Sequence, residues 1–400
     1  MMYHNSRTSD VQKFLSERFL FRYNIVLAKT EYQIKDGDKE YKEITDYEIN
    51  TISLSMEKVG LNYGTDQLRK LLNSEFVPKY DPFQEYLNNL PAWNGQDYIG
   101  ELANTVNTTK NELFSWVFRK WLVAVVASLI DNNIINHTVL VFVGKQGKGK
   151  STWIRKLIPT ELKEYYYEGV ISPSNKDDKF QLAENMVINL DELQSLRPSD
   201  IEALKGLITS TQVKLRRPYA RTQESMPRRA SFTGSVNHKE FLTDTTGNRR
   251  FLCFETESID YENNVPIDGV YAQALHLYKD GFQYWFDEKE ISLINENNND
   301  FMSISVEEDL LLQYLEPCFK EDSNALFNSP TAILKELLIL DSPNPEPRGI
   351  SGINNPSAIS LGKMLNKHGF DRKKVKGISG YYYKIKSVIE ESGYGYSNLA

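Results

Sequence analysis

The chain has 400 residues, and its 47 Lys and Arg against 54 Asp and Glu leave a formal net charge of −7. Hydrophobic residues make up 40% and aromatics 12%, which excludes a disordered chain and leaves apolar material for two or three domains. Only two cysteines occur, Cys253 and Cys318, in no metal-binding spacing, so neither a disulfide framework nor a zinc site is expected and a reducing cytoplasm is.

The first residues, Met-Met-Tyr-His-Asn-Ser, hold no apolar signal core. Helical spacing of Val11, Phe14, Leu15 and Phe19 predicts a helix over 9–22. Short strands are expected at 23–28 and 32–34, a turn at Asp36-Gly37-Asp38, and helices near 45–59 and 64–73. Pro78, Pro82 and Pro91 mark a change of organisation. The longest apolar run, Trp121 to Ile130, is about half of what a membrane span needs and reads as part of a buried helix over 112–131, so no membrane is expected.

From 138 the pattern changes to short apolar runs alternating with polar helical stretches. The runs are Val139–Val143, Met186–Leu190, Ala230–Val236 and Phe251–Phe254, and they predict an α/β domain around a central sheet. Residues 270–295 return to helix. A proline- and glycine-rich linker at 341–357 lies between helices over 331–340 and 357–368. A ribbon over 375–386 follows, and helix, helix, hairpin is the order of a winged helix-turn-helix. The expected domains are thus a mixed α+β region at 1–76, a helical segment at 77–137, an α/β core at 138–300 and a winged-helix-like unit at 301–400.

The sharpest local signal is Gly144-Lys145-Gln146-Gly147-Lys148-Gly149-Lys150-Ser151, which fits G-x-x-x-x-G-K-S/T between a strand and a helical stretch, Thr152 to Leu157. Glycines let the backbone curl so that N–H groups face phosphate oxygens. Lys150 is placed for the β- and γ-phosphates and Ser151 for Mg²⁺, with Gln146, Lys148 and Thr152 completing the loop. A second strand ends in Asp191-Glu192: the first carboxylate suits the Mg²⁺ shell, the second the attacking water. A third ends at Asn237, whose amide suits γ-phosphate sensing as well as an ordinary turn. Arg249 and Arg250 open the next strand; they suit either transition-state charge or a solvated strand start.

Between the second and third strands, residues 213–229 carry Lys214, Arg216, Arg217, Arg221, Arg228 and Arg229 against Glu224, a local charge of +5. With Tyr219 among them, Lys214, Arg216, Arg217 and Arg221 have the composition of a single-strand nucleic-acid contact, cations for phosphates and a ring for stacking. A second basic cluster comprises Lys363, Lys367, His368, Arg372, Lys373, Lys374 and Lys376, followed by Tyr381, Tyr382 and Tyr383, of which at least one is expected in a core because alternate strand residues face opposite sides.

Together these segments resemble a family. The run from Pro82 to Gly95, Gly144 to Ser151, Leu190-Asp191-Glu192, Arg216-Arg217-Pro218-Tyr219, Gly234-Ser235-Val236-Asn237 and Thr246-Gly247-Asn248-Arg249-Arg250-Phe251 look like the virulence-associated E proteins over roughly residues 77–290. The resemblance implies a P-loop ATPase of phages and mobile elements, related to superfamily 3 helicases within the AAA+ class. It implies a homo-oligomeric, hexameric ring with ATP at subunit interfaces. Lys150 and Ser151 become phosphate and Mg²⁺ ligands, Asp191 and Glu192 the metal and water pair, Asn237 the sensor, and Arg249 or Arg250 a finger acting in trans. Residues 213–229 become the channel hairpin for single-stranded or forked DNA. No primase motif is visible, so priming is expected to come from a separate primase or not to occur. Two other functions fit the sequence less well: an NTP-dependent initiator or regulator that assembles on DNA without unwinding it, and a small-molecule phosphotransferase.

Overall fold

The computed structural model describes the chain except residues 1–4, 38, 173–174, 192, 194–197, 218–221, 243–246, 304–305, 342–356, 376 and 387–400. Two units divide it, Met1–Phe301 and Met302–Ala400.

In the first unit α1 (Asn5–Arg18) runs directly into β1 (Phe19–Asn24). The expected helix over 9–22 therefore ends four residues early. The cause is pairing: Phe19 to Asn24 zip antiparallel against β2 (Lys29–Ile34), Phe19 opposite Ile34 and Asn24 opposite Lys29. Residues 25–28, expected as strand, form the connecting turn, with Ala28 at φ 54°. β3 (Lys42–Glu43) extends this sheet at one edge. α2 (Asp46–Glu57) starts at Thr45, whose capping box with Glu48 satisfies first-turn N–H groups, and α3 (Thr65–Leu72) follows. Val11, Leu15, Ile52, Met56, Leu68 and Leu72 close a small core of their own. β4 (Lys79–Tyr80) lies parallel to β1 at the other sheet edge.

Asp81 accepts from the N–H groups of Phe83 and Gln84 and so caps α4 (Pro82–Asn89), with Pro82 at the first helical position where its missing N–H costs nothing. α5 (Tyr98–Ala103) and β5 (Val106–Thr108) lead to α6 (Asn111–Ile130). Phe114, Phe118, Trp121, Val125 and Leu129 of α6 are all buried, and so are residues on its other sides, which explains a helix without a polar face. Among the described residues α6 is the one helix long and apolar enough to cross a membrane, and most of it is buried inside the protein.

The central layer is a six-stranded sheet in the order β5–β12–β6–β11–β8–β7. Its strands are β6 (Val139–Val143), β7 (Tyr166–Glu168), β8 (Val187–Leu190), β11 (Ser231–Val236) and β12 (Phe251–Ile259), all parallel to their neighbours, with β5 antiparallel at the edge. α7 (Lys150–Lys156), α8 (Lys176–Glu184) and α9 (Pro198–Thr209) carry the crossovers. A two-stranded hairpin, β9 (Gln212–Leu215) and β10 (Glu224–Pro227), projects between α9 and β11. Each of β6, β8 and β11 is buried along its whole length, as parallel strands covered on both faces should be. The register aligns their ends: Val143 stands opposite Val236 and Glu255, and Leu190 opposite Gly234. α10 (Ile267–Lys279) and α11 (Glu288–Asn298) complete the unit in place of one helical stretch over 270–295.

The second unit holds α12 (Val306–Tyr314), β13 (Leu315–Pro317), β14 (Leu326–Asn328), α13 (Pro330–Asp341), α14 (Ala358–Lys367), β15 (Arg372–Val375) and β16 (Ile378–Ile385). β16 pairs antiparallel with β13, β14 and β15. The sequence pattern does not predict α12, β13 and β14, which are short and lack clean periodicity. All three tyrosines of β16 are buried. Tyr381 and Tyr383 pack among Leu310, Leu337 and Leu361, while Tyr382 lies against Phe327, ring centroids 4.9 Å apart. Most of the 341–357 linker lies outside the described residues.

Candidate active site

The loop after β6 is shaped by its glycines. Gly147 and Gly149 adopt φ of +77° and +82°, a region side chains rarely tolerate. Gly144 packs so closely on β12 that a Cβ there would sit 2.6 Å from the Thr256 hydroxyl oxygen. Lys145, Gln146, Gly147 and Lys148 are exposed at the rim, and α7 begins at Lys150 with no side chain capping its first turn. Ser151 is half-buried and Thr152 exposed in that turn.

Lys150 is buried and its Nζ donates to three oxygens: the carbonyls of Gly144 at 2.5 Å and Lys145 at 3.0 Å, and Asn237 Oδ1 at 3.3 Å. Burial lowers its ammonium below the ordinary lysine range, and the Asp191 carboxylate partly offsets that. Asp191, one residue past β8, accepts from Ser235 Oγ at 2.5 Å. The carboxyl ends of three parallel strands thus bring Lys150, Asp191, Ser235 and Asn237 into one network, in the crevice where open α/β sheets hold ligands. Glu192 lies outside the described residues. Ser235 is a member that sequence reasoning missed, although it stands two residues before Asn237 and therefore on the same side of the chain.

Arg249 and Arg250 are not brought to this network. They occupy a single 3₁₀ turn, Asn248–Arg250, that feeds the start of β12. Phe251 pairs with Val139 at the beginning of β6, whereas the glycine loop follows its end. The length of the strand, roughly 15 Å, separates them. Here Arg249 is exposed and Arg250 half-buried, and both line a cavity of about 610 Å³ with His137, Thr138, Tyr284 and Trp285. Burial lowers the His137 imidazole, and the Arg228 and Arg250 charges push the same way.

The basic stretch divides. Lys214 and Arg216 are exposed on the hairpin. Arg217, expected among the nucleic-acid contacts, is committed elsewhere: its guanidinium donates to Glu184 at 2.6 Å and to the carbonyls of Val26 and Leu27 at 3.3 Å, so it ties the hairpin to α8 and to the β1–β2 turn. Arg228 and Arg229 are buried below the hairpin. Arg229 pairs with Asp81 at 3.0 Å, and Arg228 lies over the Phe232 ring. Burial pushes the Arg228 guanidinium down to about 9. Tyr219 and Arg221 lie outside the described residues. In the second unit Lys367 and His368 both reach Glu308 at 2.7 Å, leaving Lys363, Arg372 and Lys374 exposed; Lys376 lies outside the described residues.

The family model of the virulence-associated protein E-like domain matches residues 87–303. The chain belongs to that family. The match takes in the glycine loop, Asp191, the hairpin, Asn237 and the arginine turn, so both edges of the sheet lie inside the virulence-associated protein E-like domain. It begins later and ends later than the 77–290 expected from the motifs alone. No curated protein matches the chain. Among solved structures, the apo structure of the NrS-1 C-terminal region (305–718) is similar at 12% identity with a TM-score of 0.49, covering 96% of this chain and 100% of that one. An A-form apo structure of the same region matches at 14% identity with a TM-score of 0.46, over 94% and 99% of the two chains.

Proposed function

We propose that this protein is an ATP-hydrolysing replication protein of a phage or mobile element, a P-loop ATPase of the superfamily 3 helicase-like, AAA+ type. In this reading it works as a ring, with ATP between subunits and DNA against the hairpin. One observation carries it: Lys150, Asp191 and Asn237 meet at one edge of the sheet while Arg249 and Arg250 stand at the other. An arginine roughly 15 Å away cannot serve the phosphates of its own chain, but the opposite edge of a neighbouring copy can present it to them.

The residues fit such a nucleotide. Lys150 has its charge held in place by the Gly144 and Lys145 carbonyls and Asn237, all acceptors that phosphate oxygens can replace. Ser151 and Asp191 are hard oxygen donors, the kind Mg²⁺ takes alongside phosphates. Bound there, Mg²⁺ would neutralise charge on the β- and γ-oxygens. Ser235 holds the Asp191 carboxylate in position, and Asn237 links the γ-phosphate position to β11. Glu192, next along the chain, is assigned the attacking water. Lys214 and Arg216 would meet the DNA backbone, and the second unit would act as a winged-helix-like module.

The test is ATP turnover by purified protein with and without single-stranded DNA. Stimulation by DNA that Lys150→Ala abolishes supports the reading; turnover indifferent to both overturns it. A forked-duplex assay then separates a helicase from an initiator that only assembles on DNA.

A further inference from the structure

Tyr261 lies two residues beyond β12, on a turn held by two hydrogen bonds. Asp260 N–H donates to the Thr105 carbonyl at 2.8 Å, and the Asp260 carbonyl accepts from the Asn263 side-chain Nδ2 at 2.7 Å. This turn sets the ring against the glycine that closes the phosphate loop. A Cβ on Gly149 would fall 2.1 Å from Tyr261 Cδ1 and 2.9 Å from Cε1, so the ring fills the space any side chain at 149 would need. Yet Tyr261 is no core residue. It is 39% exposed and stands outside the apolar cluster around α6. A ring that rests on the loop and keeps over a third of the residue's surface open to solvent can take a partner.

We propose that Tyr261 is the nucleobase platform of the site, the base of the bound nucleoside triphosphate stacking on its ring while the phosphates occupy the loop. The inference rests on the loop being a nucleotide site, and it adds a specificity consequence. Stacking engages the π-face that every base has and ignores the hydrogen-bonding edge. ATP and GTP therefore bind with similar affinity, and the platform acts on binding more than on turnover.

The experiment compares full-length wild type, Tyr261→Phe, Tyr261→Leu and Tyr261→Ala in ATP and GTP hydrolysis, with inorganic tripolyphosphate as a competitive inhibitor that carries phosphates and no base. Tyr261→Ala and Tyr261→Leu should raise KM for both nucleotides about tenfold, with kcat little changed and Tyr261→Phe close to wild type. Inhibition by tripolyphosphate should not move. Should Tyr261→Ala fail to fold, the leucine variant keeps the apolar cover without the ring and tests the same point. An unchanged KM in the leucine variant, an equal loss of tripolyphosphate affinity, or a phenylalanine variant as damaged as alanine overturns the platform while leaving the phosphate site standing. A wild type that neither hydrolyses nucleotide nor is inhibited by tripolyphosphate overturns the site itself, and the platform with it.

Discussion

The two edges of the central sheet differ in how they are built. At the carboxyl edge, strand ends deliver a polar network directly: Lys150 to Asn237 by hydrogen bond, Asp191 to Ser235 by another. At the amino edge, Arg249 and Arg250 stand a strand's length from the glycine loop and border a cavity with His137 and Trp285. On the proposed reading, a sheet that divides its charges in this way supplies half of a shared site, completed when copies meet amino edge to carboxyl edge. The largest expected effect tests the carboxyl edge alone. Lys150→Ala should take ATP turnover to background without unfolding the chain, because among the described residues the lysine ammonium hydrogen-bonds to the Gly144 and Lys145 carbonyls and Asn237. Measured turnover near wild type would break the comparison at its first edge.

The next effect tests the amino edge. Arg249→Ala or Arg250→Ala should lower hydrolysis by about 10³-fold, the low end for such arginines, while nucleotide still binds. Mixing either variant with Lys150→Ala should restore part of the activity, since each supplies the edge the other lacks. If no mixing ratio restores turnover, the site is not shared between copies.

Much of this was legible in the sequence where chemistry and geometry share a short segment. The loop from Gly144 to Ser151 announces its own turn, because glycines at 147 and 149 meet a positive φ that other residues avoid. The apolar runs announced the sheet strands because parallel strands are buried on both faces. What failed was whatever depends on distant partners. Phe19 continues the helical spacing of Val11, Phe14 and Leu15, yet Phe19 to Arg22 pair with β2. Arg217, Arg228 and Arg229 look like their neighbours Lys214 and Arg216, but carbonyls and carboxylates from residues 26, 27, 81 and 184 claim two of them and burial takes the third. Charge composition cannot distinguish an arginine facing solvent from one that fastens a hairpin.

That distinction gives the third prediction. Lys214→Ala with Arg216→Ala should weaken DNA binding and reduce the slope of log affinity against log salt by about two, one for each phosphate contact, with thermal stability unchanged. Arg217→Ala should do the reverse: it leaves Glu184 unpaired and destabilises the first unit by about 2 kcal/mol, read by denaturant unfolding. Equal salt slopes for the two sets of variants would show that Arg217 reaches DNA after all.

The smallest effect belongs to the second unit, where Glu308 does for Lys367 and His368 what Glu184 does for Arg217. Burial works to raise the Glu308 carboxyl, but hydrogen bonds from Lys367 and His368 and their charges outweigh it and hold the group below the ordinary glutamate range. The sign follows from linkage: a carboxyl whose folded pKa is depressed adds stability above its unfolded pKa and loses it as pH falls through the folded value. The unfolding midpoint should therefore decline with acid below about pH 4.5, the ordinary glutamate value. Glu308→Gln should remove part of that decline, at a cost of about 1 kcal/mol or less at neutral pH. A variant whose midpoint falls with acid as steeply as wild type would mean that the pairing of Glu308 with Lys367 and His368 contributes nothing to the second unit, and that the fastening role of carboxylates is confined to the hairpin.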